Sequence, residues 1–172
     1  MRKISSRFIL FILLFPVVGV GFAQSTRASQ ADMATPSQPL RNSNESRTLS
    51  VRIERPFATV YEFLVEPANW SQWAFGLGKS LRQSDRGWIA NSGSGTIKVH
   101  FTPRNEFGVL DHTVIRSSGT EVYVPMRLIH NGNGCELLFT LFREKGVTDE
   151  RYNADSNFVQ RDLNGLKNLL EK

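Results

Sequence analysis

The stretch FGVLDHTVIRSSGTEVYVPMRLIHNGNGCELLFTLF, from Phe107 to Phe142, contains three apolar segments separated by two short turns. Between Thr120 and His130, every second residue is apolar: Val122, Val124, Met126 and Leu128. This period of two is typical of a β-strand with one buried face. Turns as short as Ser117–Gly119 cannot hold the crossover that joins parallel strands, so the stretch predicts an antiparallel meander.

The glycine at the end of the first turn predicts the register of the sheet. Gly119 in third place is typical of a three-residue loop closed by a glycine bulge, which pairs His112 with Val124. A two-residue loop would turn every side chain to the other face. The residues predicted to face inward from these three strands are Leu110, His112, Val124, Met126 and Phe139. Asp111 is predicted to face solvent on the outer side, beside Arg127.

Asp111 and His112 are adjacent, but this does not make them an acid–base pair. Consecutive side chains of a strand point to opposite faces, so only His112 is expected on the inward face. One interpretation is a buried histidine that is hydrogen-bonded to a backbone group or water. The other is the single polar contact, or the general base, of an apolar pocket. In both cases burial should lower the pKa of His112 below its usual value of about 6.5.

Helical patterns precede and follow the meander. A strand around Val51 leads through Pro56 into a short amphipathic helix, and a second short helix spans Ala68 to Ala74. A long helix is predicted from Asp149 to Glu171, with one apolar stripe: Tyr152, Val159, Leu163, Leu166 and Leu170. Because only this helix is large enough to cover the sheet, we expect an α+β fold in which the sheet grips the helix. In that fold a curved antiparallel sheet wraps around a long C-terminal helix, with two short helices after the first strand.

These elements resemble a known family. The stretches VRIERPFATVYEFLVEPANWSQWAFG, FGVLDHTV, VYVPMRLIHNGNGCELLFTLFR and DERYNADSNFVQRDLNGLKNLLEK are similar to the START-like superfamily. This superfamily, also called SRPBCC, has the helix-grip fold and includes the polyketide cyclase/dehydrase-like proteins. The resemblance covers residues 48–172 and implies a cavity between the sheet and the C-terminal helix that takes an apolar ligand.

The expected function is therefore binding or carriage of a small hydrophobic or amphipathic ligand, or a lipid. The predicted ligand-binding residues are Trp70, Trp73, Leu110, His112, Val124, Met126, Phe139 and Val159. An alternative is a cyclase/dehydratase-type enzyme that uses His112 with Tyr123 or with an acid of the last helix. A third hypothesis is an interaction module that uses an outward pair, Leu138 and Phe142.

Two pairs of residues have more than one interpretation. Trp70 and Trp73 lie three apart, and they form either an aromatic lid over the cavity or packing anchors. Asp155 and Asp162 lie next to the apolar stripe of the last helix, where they either reach the cavity edge or lie on a solvated face. The solvated face is the favoured interpretation.

The N-terminus predicts export. Three basic residues precede the apolar run Phe8 to Ala23, which favours a signal peptide over residues 1–23 that is cleaved after Ala23. The mature protein would then be secreted or periplasmic. An uncleaved anchor is the alternative, and only then would a membrane be a partner. Residues 24–47 are polar and predict a disordered tether, which leaves 48–172 as the folded domain.

Composition argues against several other classes. The chain has a formal net charge of +5, but without Arg2, Lys3 and Arg7 it has 18 basic against 16 acidic residues. This balance gives no basic surface for nucleic acid. The sequence contains no metal-ligand spacing and no phosphate-binding loop, so we expect neither metal nor cofactor. Cys135 is the only cysteine, which excludes an intramolecular disulfide and favours a small apolar filler.

Overall fold

A computed structural model of the chain describes residues 44–77, 80–85, 87–92 and 95–172. Within these described residues, two α-helices and one 3-10 helix accompany eight strands. The helices are α1 (Phe57–Val65), the 3-10 helix (Pro67–Gln72) and α2 (Asp149–Leu170). The strands are β1 (Ser46–Ile53), β2 (Arg82–Ser84), β3 (Gly87–Ser92), β4 (Gly95–Phe101), β5 (His112–Ile115), β6 (Glu121–Val124), β7 (Met126–Asn131) and β8 (Gly134–Phe142).

The folded domain begins slightly earlier than position 48. Strand β1 starts at Ser46, and Arg47 donates hydrogen bonds to Asn153 (3.1 Å) and Ser156 (3.0 Å) of α2. Glu45 forms an ion pair with Arg143 at 2.9 Å. The last residues assigned to the tether 24–47 are therefore part of the fold. The predicted signal peptide and the rest of the tether lie outside the described residues.

The predicted register of the meander is confirmed. His112 pairs with Val124 and Val114 with Val122, while Met126 pairs with Phe139 across the following turn. The N–H of Arg116 donates to the carbonyl of Thr120, and Gly119 has a φ of +84°. This is the left-handed conformation that a bulged three-residue loop requires and that glycine adopts without steric cost.

The strands form two antiparallel sheets that meet at a bend. One sheet has the order β1-β8-β7 and the other β2-β3-β4-β5-β6. Pro125 separates β6 from β7, and the N–H of Met126 donates to the Asp111 carboxylate at 2.8 Å. Asp111 also accepts a hydrogen bond from Tyr123 and forms an ion pair with Arg127.

The prediction that Asp111 faces solvent is therefore wrong. The residue does point away from His112, but it is only 6% exposed. Its carboxylate is buried because it accepts the backbone N–H of Met126 at the bend. Elsewhere in a sheet, the backbone carbonyl of a neighbouring strand accepts such an N–H. A buried backbone donor without an acceptor would be costly, which explains why an acid is held there.

Helix α2 closes the structure as its pattern predicts. Thr148 caps its first turn by accepting the N–H of Arg151 at 3.3 Å. Tyr152, Leu163 and Leu166 of the apolar stripe are buried. The architecture is thus α+β, with curved antiparallel sheet around a long C-terminal helix and two short helices after the first strand. Cys135 is buried as an apolar filler.

Among the described residues, no helix combines the length and the apolar character that crossing a membrane requires.

Candidate functional site: a cavity between the sheet and the last helix

A cavity of about 360 Å³ lies between the curved sheet and α2. Strands β5, β6 and β8 supply one wall, the 3-10 helix and the residues after it supply a second, and α2 supplies the third. The apolar lining residues are Trp70, Trp73, Ala74, Leu77, Val114, Val122, Val124, Phe139, Leu141, Val147, Phe158, Val159 and Leu163. The polar lining residues are His112, Arg116, Glu144, Lys145, Arg151, Asp155 and Asp162.

Two of the predicted ligand-binding residues do not line this cavity. Leu110 and Met126 face inward as expected, but they belong to the hydrophobic core with Val60 and Leu64 of α1. Met126 is fully buried there. The alternation along a strand predicts which face of the sheet a side chain lies on. It does not predict whether that face is covered by a helix or lines the cavity. The other six predicted residues line the cavity.

The two tryptophans of the 3-10 helix region are part of the cavity wall. Trp70 and Trp73 are each 3% exposed, and their ring centroids lie 5.1 Å apart. Their burial fits the packing-anchor interpretation rather than a lid. Trp70 donates its indole N–H to the carbonyl of Leu64 at 3.0 Å. The indole nitrogen of Trp73 is buried and has no hydrogen-bond partner among the described residues.

His112 is a buried imidazole in an aromatic surrounding. It is 3% exposed, and Trp70 contacts it edge-on at a centroid distance of 4.9 Å. Its nearest polar partner is the Leu110 carbonyl, 3.5 Å from Nδ1. Desolvation lowers the pKa of His112 to about 4, and the backbone contact offsets this only in part. His112 is therefore neutral at neutral pH, which confirms the predicted direction.

Asp162 is the cavity residue that sequence reasoning misplaced most clearly. Its carboxylate accepts hydrogen bonds from the backbone N–H groups of Phe75 and Gly76, which join α2 to the segment after the 3-10 helix. Partial burial raises the pKa of Asp162 to about 6, against the opposite effect of those hydrogen bonds. Asp155 also lines the cavity, and burial raises its pKa as well. The prediction of a solvated helix face is wrong for both.

The spacing along α2 contains a signal that could have placed these acids. Asp155 and Asp162 lie four residues before and three residues after Val159, so the three share one side of the helix. Because Val159 is predicted to line the cavity, Asp155 and Asp162 on the same side of the helix should line it too.

Charged residues at the edge of the cavity are mostly paired. Arg116 at the end of the β5 region forms a bidentate ion pair with Glu144, which follows β8, with one hydrogen bond of 2.8 Å. This pair connects the end of β5 in one sheet to the residues after β8 in the other. Arg151 and Asp155 form a second pair at 3.0 Å within α2. The charged lining residues comprise three cations and three carboxylates, so their formal charges balance.

The remaining candidates lie elsewhere. Tyr123 is half-exposed on the outer face, and its hydroxyl donates to Asp111. Leu138 is half-buried, while Phe142 is 38% exposed. Within the described part of the chain, no three His, Cys, Asp or Glu side chains come together as metal ligands.

The fold and its cavity define a helix-grip domain. The chain matches no protein-family model and no curated protein. Among solved structures, a protein from Bacillus thuringiensis is similar, with a TM-score of 0.60, 15% identity and coverage of 74% of this chain and 100% of that one. Ara h 8.0201 has a TM-score of 0.51 at 14% identity, with coverage of 73% and 97%.

A third similar structure is DynU16, described as a protein in the dynemicin biosynthetic locus. Its TM-score is 0.55 at 15% identity, and the match covers 74% of this chain but 47% of DynU16. This chain therefore corresponds to about half of DynU16. At these identities the likeness establishes the shared fold.

Proposed function

We propose that this protein binds and carries a small hydrophobic or amphipathic ligand between its sheet and its C-terminal helix, as a member of the START-like superfamily. The observation that carries this proposal is the cavity of about 360 Å³. Its volume lies in the range of about 300–1,000 Å³ that is usual for small-molecule sites, and its walls are mostly aliphatic and aromatic. Burial of apolar ligand surface against such walls supplies the driving force for binding.

The division of the lining supports an amphipathic ligand. Trp70, Phe139 and Val159 belong to the apolar walls, whereas Arg116, Glu144 and Lys145 form part of a charged edge. An apolar body would contact the former, and a polar end would lie toward the latter.

A fluorescent apolar probe, N-phenyl-1-naphthylamine, tests the proposal on the full chain. We expect saturable fluorescence enhancement, and we expect Val124→Trp to weaken binding at least tenfold because the larger side chain fills the cavity. Ile129→Trp is the matched control, since Ile129 lies on β7, the next strand along the chain, and is 43% exposed on the outer face. Equal binding by wild type and Val124→Trp would refute the site.

We also propose that the protein is exported, on the evidence of the basic start and the apolar run before Ala23. Expression of the full chain in a bacterium followed by N-terminal sequencing of the mature protein tests this. Recovery of a chain that begins at Gln24 supports cleavage. A chain that keeps its N-terminus and sediments with membranes supports the anchor instead.

Acid–base catalysis on the bound ligand is the second candidate function. It is favoured by the position of His112 and Asp162, which line one cavity and have pKa values displaced in opposite directions. A carboxylate with a pKa of about 6 is mostly ionised at neutral pH and can accept a proton. The test is deuterium uptake from heavy water at the carbon next to the carbonyl of bound 2-acetylnaphthalene. Uptake that is lost in Asp162→Asn supports catalysis, and uptake at the protein-free rate contradicts it.

A further inference from the structure

The carboxylate of Asp162 is a polar group of the cavity lining that a ligand can reach. Its side chain lines the cavity and is only half-buried. Two other polar atoms of the lining, Trp73 Nε1 and Arg116 Nε, are enclosed by protein and have no hydrogen-bond partner among the described residues. A bound molecule can therefore contact Asp162, whereas those two nitrogens are closed to it.

The protein leaves part of the hydrogen-bonding capacity of Asp162 open. Its carboxylate accepts hydrogen bonds from the backbone N–H groups of Phe75 and Gly76. An ionised carboxylate has about four acceptor positions on its two oxygens, so about two remain for other donors. Removal of water from a charged group is unfavourable unless new hydrogen bonds replace those to water. A ligand that displaces water from Asp162 is therefore expected to supply a donor in its place.

The charge of Asp162 is not used in an ion pair. None of the ion pairs between described residues includes it. The cation that acts on it is Arg161 of the same helix, whose guanidinium lies over the ring of Phe158 at 5.1 Å from the centroid. The facing segment 73–77 reads WAFGL and contains no titratable side chain. Asp162 is therefore an unpaired acceptor next to apolar walls.

Asp162 also lies at a defined place relative to the charged edge of the cavity. Asp155, which is paired with Arg151, precedes it by seven residues on α2, or about 10 Å along the helix axis. Phe158 and Val159 line the cavity between the two acids. A ligand whose polar end lies at the charged edge would therefore extend its apolar body along α2 toward Asp162.

We propose that the apolar body of the ligand carries a hydroxyl group or another hydrogen-bond donor, and that the carboxylate of Asp162 accepts a hydrogen bond from it. This inference rests on the proposed function of the cavity and assigns a ligand class and a specificity-determining residue to it. Hydroxylated hydrophobic skeletons satisfy the description. Hydrocarbons do not, and neither do ketones, esters or ethers that only accept hydrogen bonds.

Two ligands with the same carbon skeleton test the hydrogen bond. The alcohol 1-(2-naphthyl)ethanol can donate, whereas the ketone 2-acetylnaphthalene can only accept. Their affinities are measured by displacement of N-phenyl-1-naphthylamine from the full chain at pH 7.5. We expect the wild-type protein to prefer the alcohol about tenfold, because a hydrogen bond to a charged acceptor is stronger than one between neutral groups.

Asp162→Asn changes the acceptor and keeps the shape of the side chain. Its amide oxygen can still accept the N–H groups of Phe75 and Gly76, while its NH₂ group can only donate to a ligand. This variant should bind the ketone at least as tightly as the alcohol. Asp149→Asn is the matched control, since it is the same change on the same helix at an exposed residue outside the cavity lining, and it should retain the preference for the alcohol.

The pH dependence of the preference in the wild-type protein is a second measurement, which needs no variant that folds. Neither ligand titrates between pH 7.5 and pH 5. Burial raises the pKa of Asp162 to about 6, so the carboxyl is mostly protonated at pH 5 and can then donate to the ketone. We expect the preference for the alcohol to fall about fivefold over this range.

The other titratable groups of the lining do not obscure this measurement. His112, whose pKa is lowered to about 4, is mostly neutral throughout the range. Asp162→Asn retains all the other charged groups near the site, so its preference should not change with pH. These groups are Arg116, Glu144, Lys145, Arg151, Asp155 and Arg161.

The outcomes separate this inference from the proposal on which it rests. Three results overturn the role of Asp162 and leave ligand binding intact: equal affinity for alcohol and ketone in the wild-type protein, an unchanged preference in Asp162→Asn, or a wild-type preference that does not vary with pH. Binding of the probe without binding of either naphthyl ligand also overturns the inference. If neither the probe nor the two ligands bind, the proposed function itself is refuted.

Discussion

Replacement of His112 by leucine should change how the stability of this protein depends on pH. His112 is buried in the cavity wall, and its pKa is lowered to about 4, while an unfolded chain has the usual histidine value of about 6.5. Between these values the unfolded state binds a proton that the folded state does not. The free energy of unfolding therefore falls as the pH falls from about 6.5 to about 4.

The size of the effect follows from the two pKa values. The linkage relation gives a loss of about 2 kcal/mol at pH 5 and about 3 kcal/mol below pH 4 for this one group. His112→Leu removes the group from both states, so it should remove this part of the pH dependence and leave the parts due to carboxylates. Any pH-independent effect of the substitution on the free energy of unfolding cancels when the two pH values are compared.

Urea unfolding of wild type and His112→Leu at pH 7.5 and pH 5.0 measures the difference. We expect the wild-type protein to lose about 2 kcal/mol more than the variant between the two pH values. Titration of the His112 ring resonances should show at most about one tenth protonation at pH 5. An identical pH dependence of the two proteins would refute the reasoning. A His112 that titrates at its usual value and responds to Asp111→Asn would instead show that the two side chains are coupled.

Three further predictions concern stability. Gly108→Ala should lower the free energy of unfolding in urea by at least about 2 kcal/mol, because Gly108 has a φ of +69° and an added Cβ would overlap the carbonyl oxygen of Leu128. Gly119→Ala is the control: Gly119 also has a positive φ but faces open space, so the loss should be about 1 kcal/mol. Thr148→Ala removes the cap of α2 and should cost about 1 kcal/mol in the same assay; an unchanged free energy of unfolding would contradict a stabilising role for the cap. Asp162→Asn should raise the free energy of unfolding at pH 7.5 relative to wild type, and this advantage should disappear toward pH 4. The reason is that the pKa of the wild-type carboxyl is raised to about 6, so its protonation stabilises the folded wild-type protein as the pH falls. A difference that stays constant with pH would contradict partial burial of the charge.

The register of the meander could be predicted because the determinants are local. Gly119 sets the loop length, and the alternation of Val122 and Val124 sets the buried face. With these two facts the position of His112 follows without knowledge of the rest of the fold.

The surroundings of those side chains could not be predicted in the same way. Asp111 is buried because the chain bends at Pro125 and the N–H of Met126 needs an acceptor. Met126 itself lies under α1 instead of in the cavity, since the helix that covers a strand face is fixed by tertiary packing. Asp162 accepts hydrogen bonds from the N–H groups of Phe75 and Gly76, which are distant in sequence, so no local sequence pattern predicts this contact.

The contacts of Asp111 connect the outer face of the sheet to the cavity wall. The residue before His112 is tied on the outer side to Arg127, Tyr123 and the backbone of Met126, whereas His112 projects from the same strand into the cavity. Any displacement of that outer tie shifts the backbone that carries the imidazole. We therefore expect substitutions at Tyr123 or Arg127, on the outer face, to change the affinity of the cavity for the apolar ligand that the proposed function assigns to it, although neither side chain lines the cavity.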